Sequence, residues 1–103
     1  MVKKYRLEYL PLFEEDLAAA RDYIASVLGN PAAALRLVDD TEKAIRKRLA
    51  DPLIYAPYRS AKDRKYPYYR IQVRNFSVFY VVIENVMEVR RFVYSKRDLT
   101  KLI

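Results

Sequence analysis

Cysteine and histidine are both absent from the 103 residues, and glycine occurs only once. Without cysteine there is no disulfide framework and no thiolate metal site. Without histidine, the commonest general base and the commonest metal ligand are gone. Any chemistry must use Tyr, Lys, Arg or carboxylates. A single glycine cannot make a phosphate-cradling loop, which argues against a nucleotide-binding enzyme. Carboxylates are few and scattered in the second half of the chain, with no cluster to hold a hard cation, so neither a metal nor another cofactor is expected. No apolar run approaches the roughly 20 residues of a spanning helix, and the start, MVKKYRLEYL, has no apolar signal core. The expectation is a cytosolic protein with no membrane partner. A chain of this length hides roughly 65% of its unfolded surface in one core and cannot build two of ordinary size, so one domain over residues 1–103 is expected.

Positive charge is plentiful and unevenly placed. Residues 1–55 hold nine basic and nine acidic side chains, so the whole surplus of +7 lies in residues 56–103, where eleven cations meet only Asp63, Glu84, Glu88 and Asp98. Concentrated positive potential of this kind attracts polyanions and acidic proteins.

Residues 2–9 alternate, with Tyr5, Leu7 and Tyr9 on one side and charged residues on the other, the two-residue period of a strand. Pro11 suits a first helical turn, and Phe13, Leu17, Ala20, Ile24 and Val27 recur at helical spacing, predicting a helix over about 11–28. Gly29 is placed as a left-handed C′ residue, Asn30 as a cap and Pro31 as the first residue of a second helix over about 31–50, with Ala34, Val38, Thr41, Ile45 and Leu49 on one face. Residues 52–67 read as a long basic loop, a candidate binding element because loops of this length tend to carry function. From Tyr68 onward, β-branched and aromatic residues predict a three-stranded antiparallel meander with turns at Asn75 and at Glu84-Asn85. A last short turn is expected over 99–103, capped by Asp98. The fold class is α+β: an N-terminal strand, a helical hairpin and a meander, with the helices on one sheet face. The other face is expected to stay open and to carry Arg70, Gln72, Arg74, Arg90 and Tyr94.

The segments DLAAARDYI, NPAAALRLVDDTEKAI, LADP, YYRIQVRNFSVFYVV and RRFVYSKRDL, in this order and over nearly the whole chain, resemble the RelE/ParE superfamily of toxins from type II toxin–antitoxin systems. The resemblance implies a microbial RNase-like fold and a cognate acidic antitoxin as partner. In the ribonuclease branch, which is the activity expected here because Arg70, the basic loop and Lys96-Arg97 are present, it implies metal-independent cleavage of messenger RNA on the ribosome and inhibition of translation. Such cleavage needs a base, an acid and cations around the phosphate. By the same resemblance Arg70 would bind the scissile phosphate, and Arg97 would be the second arginine of the active face. Tyr94 stands where several members place a histidine; flanked by Lys96, Arg97 and Arg70, it would ionise more readily and serve as base. Lys62 and Lys65 resemble lysines used near the leaving group. Arg74 and Lys96 complete the RNA-binding set, and Tyr68, on Arg70's face, is the tyrosine placed to stack on a base. Each has a structural reading too: Arg70 paired with Glu88, Tyr94 as packing, the lysines as solvated charge. The alternative activity is that of a ParE-like toxin, which performs no chemistry and inhibits DNA gyrase. Two departures from the ribonuclease pattern keep it open: the missing histidine, and an end at Ile103 without the tyrosine-bearing helix of some RelE members.

Overall fold

In the computed structural model, residues 4–59 and 65–97 are described. Strand β1 (Arg6–Tyr9) leads into helix α1 (Pro11–Asp22), which unwinds into a π turn over Tyr23–Val27. Helix α2 (Pro31–Leu49) returns alongside, and β2 (Tyr69–Val73), β3 (Phe76–Ile83) and β4 (Val86–Tyr94) form the meander. The sheet order is β1-β4-β3-β2, with β1 parallel to β4 and the other pairs antiparallel. The α+β layer expected from the sequence is present, and the N-terminal strand has found the β4 edge. The final turn expected over 99–103, with its Asp98 cap, lies outside the described residues, as does Lys62.

The helix-side core joins Phe13 of α1 and Leu37 and Ile45 of α2 to Ile71, Val73, Val78, Tyr80, Met87, Val89 and Phe92 of the sheet. Each large apolar side chain buried there contributes about 1.5–3 kcal/mol. Phe13 ties strand, helix and sheet together: its ring stacks on Tyr9 at 5.4 Å and meets Phe92 edge-on at 6.1 Å. Asp16 fastens α1 to β4 through a paired contact with the Arg91 guanidinium, 2.8 and 3.2 Å, and accepts the Phe92 N–H at 3.0 Å. That Phe92 N–H and the neighbouring Arg90 lie where the β3–β4 register slips: Phe79 faces Arg91 while Tyr80 faces Val89, leaving Arg90 as the extra residue of a bulge.

One expectation about the sheet is corrected. Its second face is not bare, because the loop after α2 folds back over it. Tyr58 and Tyr66 pack on a second apolar cluster of Tyr68, Phe79, Val81 and Val93, and the Tyr58 N–H donates to the Tyr68 carbonyl at 2.7 Å. The reason lies in β3, whose near-continuous apolar run needs cover on both faces.

Candidate functional site

What remains accessible on the loop-covered face centres on Arg70. Strand alternation in β2 sends Tyr69, Ile71 and Val73 to the helices and Arg70 and Gln72 to the opposite side. Arg70 Nε donates to Ser77 Oγ at 2.8 Å and Nη2 donates to Gln72 Oε1 at 2.6 Å. Gln72 is itself oriented by donating Nε2 to Ser95 Oγ at 2.8 Å and to the Arg74 carbonyl at 2.7 Å. The Ser77 and Ser95 hydroxyls are hydrogen-bonded to each other at 2.9 Å, either able to donate, and Ser77 is fully buried. Among the described residues, the half-buried guanidinium is thus aimed by neutral groups, and it lies 5.9 Å from the Tyr58 ring centroid. Among the described residues, the ion pairs are Arg6–Glu8, Arg21–Asp22, Arg74–Asp40, Arg90–Glu88 and Arg91–Asp16, and none includes Arg70. A fixed fork of donors with no counter-charge among the described residues of its cluster is suited to receive a carboxylate or phosphate.

The other expected site residues are dispersed. The structural pairing considered for Arg70 is taken instead by Arg90, whose Nε meets Glu88 Oε2 at 2.7 Å. Burial works against the charge of Arg90, but hydrogen bonds with Glu88 and Tyr68 outweigh it and the guanidinium holds its proton more tightly than usual. Tyr68 does share Arg70's side of the sheet, yet it is only 6% exposed, edge-on to Phe79 and under the Arg90 guanidinium, so it has no free face for a base. Arg74 sits in the β2–β3 turn with φ +54° and turns away to α2, clamping Asp40 at 2.6 and 2.9 Å. Lys65 is exposed beside the Tyr66 ring, and Lys96 is exposed in the turn after β4.

Tyr94 is the main correction. It pairs in register with Phe76 and packs edge-on against that ring, which stacks on Phe92 in the helix-side core. Arg70 bonds to Ser77, the next residue of β3 and therefore on the opposite face. Tyr94 instead shares with Arg97 a groove of about 700 Å³ bounded by Tyr23, Ile24 and Leu28 at the end of the first helix. The grouping of Arg70, Tyr94 and Arg97 about one phosphate is not formed. Strand parity alone could not have shown this, since the bulge at Arg90 shifts the alternation along β4. The sequence reading missed Ser77, Ser95 and Tyr58, whose isolated polar or aromatic character carries no motif.

Among the described residues no group of carboxylates could hold a metal ion, and no helix is long and apolar enough to cross a membrane. No curated protein matches the chain by sequence. In fold it is similar to a chain of the chromosomal ParDE toxin–antitoxin system from P. aeruginosa, with a TM-score of 0.71 at 20% identity, covering 93% of this chain and all (100%) of that one. It is also similar to a chain of the E. coli DinJ–YafQ complex, with a TM-score of 0.59 at 13% identity over 97% and 99% of the two chains. The family model described as the ParE toxin of the type II toxin–antitoxin system, parDE, matches residues 7–99. That match runs from β1 through the turn after β4, taking in both helices and the Arg70 strand, and with it the chain belongs to the ParE family of type II toxin–antitoxin toxins.

Proposed function

We propose that this toxin acts by binding, as a ParE-like inhibitor of DNA gyrase, and that an acidic antitoxin neutralises it. The observation that carries the reading is the placement of Arg70 and Tyr94 on opposite faces of the sheet. Cleavage of RNA requires a base within hydrogen-bond reach of the 2′-hydroxyl while cations hold the same phosphate. Among the described residues, the groups that hold and orient Arg70 by hydrogen bonds are Ser77, Gln72 and Ser95, neutral amide and hydroxyl groups that do not exchange protons near neutral pH. Such an arrangement recognises an anionic group on a partner. Membership of the ParE family favours the same side of the choice, and the surplus of +7 favours acidic partners for both encounters. A cognate antitoxin is supported by the solved ParDE and DinJ–YafQ assemblies, whose toxin chains share this fold.

The test is a gyrase supercoiling assay run beside primer-extension mapping of messenger RNA on translating ribosomes. Suppressed supercoiling with intact message is expected, and Arg70→Ala should weaken the suppression by at least tenfold. New message ends at decoding-site codons, with supercoiling untouched, would overturn the proposal and restore the ribosome and mRNA as targets.

A further inference from the structure

Immediately after α2 the chain turns its apolar side chains outward. Leu53, Ile54 and Tyr55 are 48%, 57% and 61% exposed, three large apolar residues in succession. Their neighbour Pro52 is fully buried, and its carbonyl accepts the Tyr80 hydroxyl at 2.6 Å. The backbone is also closed by Asp51 N–H to the Arg48 carbonyl at 3.0 Å and Ile54 N–H to the Asp51 carbonyl at 3.2 Å. Arg48 holds the far end: its guanidinium lies 4.6 Å from the Tyr55 ring centroid and donates to Tyr80 Oη and to the Arg70 carbonyl. The knob is thus anchored to the core on one side and to the β2 strand of the Arg70 site on the other.

An anchored, solvent-facing apolar patch with a tyrosine and an arginine at its centre has the composition of an interface hot spot. Its electrostatic setting narrows the occupant. From Arg46 to Arg59 four cations, Arg46, Lys47, Arg48 and Arg59, outnumber one carboxylate, Asp51. A second copy of this chain would bring the same positive surface against itself, which opposes a symmetric dimer. Nucleic acid would use the cations but leave Leu53 and Ile54 without partners. An acidic protein segment carrying apolar side chains satisfies both features.

We infer that the Leu53-Ile54-Tyr55 knob is a docking surface for an acidic, apolar-faced segment of the antitoxin. Because Arg48 links the knob to the β2 strand at Arg70, a segment seated there runs beside the Arg70 site and offers its carboxylates to it. This inference stands whether the toxin's target is gyrase or RNA.

The test measures the affinity of the full-length chain for the antitoxin of its own parDE pair. Ile54→Asp places a like charge before an acidic segment and should weaken binding at least thirtyfold, whereas Ile54→Lys removes the same apolar contact with a favourable charge and should weaken it less than tenfold. Leu35→Ser, at a still more exposed apolar residue on α2, should leave the affinity within about twofold. Thermal midpoints of the variants show that folding is retained, as expected for solvent-facing positions. Equal affinity of Ile54→Asp and the parent chain would overturn the inference. So would Ile54→Asp and Ile54→Lys losing affinity alike, because the partner would then not be acidic at this point. Loss of toxicity in Ile54→Asp with antitoxin affinity intact would assign the knob to the toxin's target and overturn it equally.

Discussion

At the scale of single residues, Tyr80 carries the most structure for one polar atom. Its ring lies in the helix-side core, stacked on Tyr69 at 5.4 Å, while its hydroxyl donates to the Pro52 carbonyl and accepts from Arg48. Burial raises its pKa above the ordinary tyrosine value, and the Arg48 hydrogen bond and charge only partly offset this. The sign follows from linkage: the folded state keeps the proton after the unfolded chain has lost it. The contribution of Tyr80 to stability is therefore complete below about pH 10, the unfolded value, and declines as pH rises through the folded value. Tyr80→Phe should lower stability at pH 7 by about 1–2 kcal/mol, because the Pro52 carbonyl and one Arg48 donor lose a partner. It should also flatten the alkaline loss. Tyr9, which burial raises likewise, leaves a remainder. Urea unfolding of both proteins at pH 7 and above about pH 10 checks this; an unchanged alkaline slope would mean that Tyr80 does not titrate with unfolding.

At the scale of elements, the connection between the two helices shows where local sequence suffices and where it does not. Gly29 takes φ +64° and Asn30 Oδ1 accepts the Ala33 N–H at 3.1 Å, ahead of Pro31, as the residue types require. Asn30→Ala should cost about 1 kcal/mol, read as a lower urea midpoint with an unchanged slope. No loss would show that water replaces the cap. The first helix, however, does not keep its period. Leu28 N–H reaches back to the Tyr23 carbonyl at 3.1 Å, the wider π spacing, and Val27 is carried out to 68% exposure although a regular helix would have placed it on the core face. Nothing in a run of Tyr, Ile, Ala, Ser and Val announces that change, because a π turn is chosen by packing. The meander was legible from alternation alone, yet its turns were only half so: the left-handed residues are Arg74 and Glu84, not the asparagines that follow them. Arg70 could be placed on its face by parity. Tyr94 could not, because the Arg90 bulge interrupts the count, and the cover over the second face depends on a loop without periodicity.

At the scale of the whole molecule, charge and apolar contact divide the work of association. The half of the chain that is neutral in sum contains the helices, and the half with the surplus builds β2, β3, β4 and the loop over them. Five of the arginines in the described residues are already matched with carboxylates, so what reaches a partner is the remainder, including Arg70, Arg46, Lys47, Arg59, Lys65, Lys96 and Arg97. These are spread rather than stacked in one pocket, and spread charge acts over about a Debye length, roughly 8 Å at physiological salt, before any contact forms. Its effect belongs to the encounter. The rate of association with the antitoxin should then fall by about tenfold or more as salt rises from about 50 mM to about 500 mM, while dissociation, if the proposed apolar knob and the Arg70 guanidinium hold the complex, should change by less than about threefold. Stopped-flow mixing against labelled antitoxin separates the two rates. A flat association rate would assign the surplus charge to solubility alone. A dissociation rate that climbs in step with salt would mean that exposed ion pairs hold the complex together, and Ile54 would then matter less than Lys47 and Arg59.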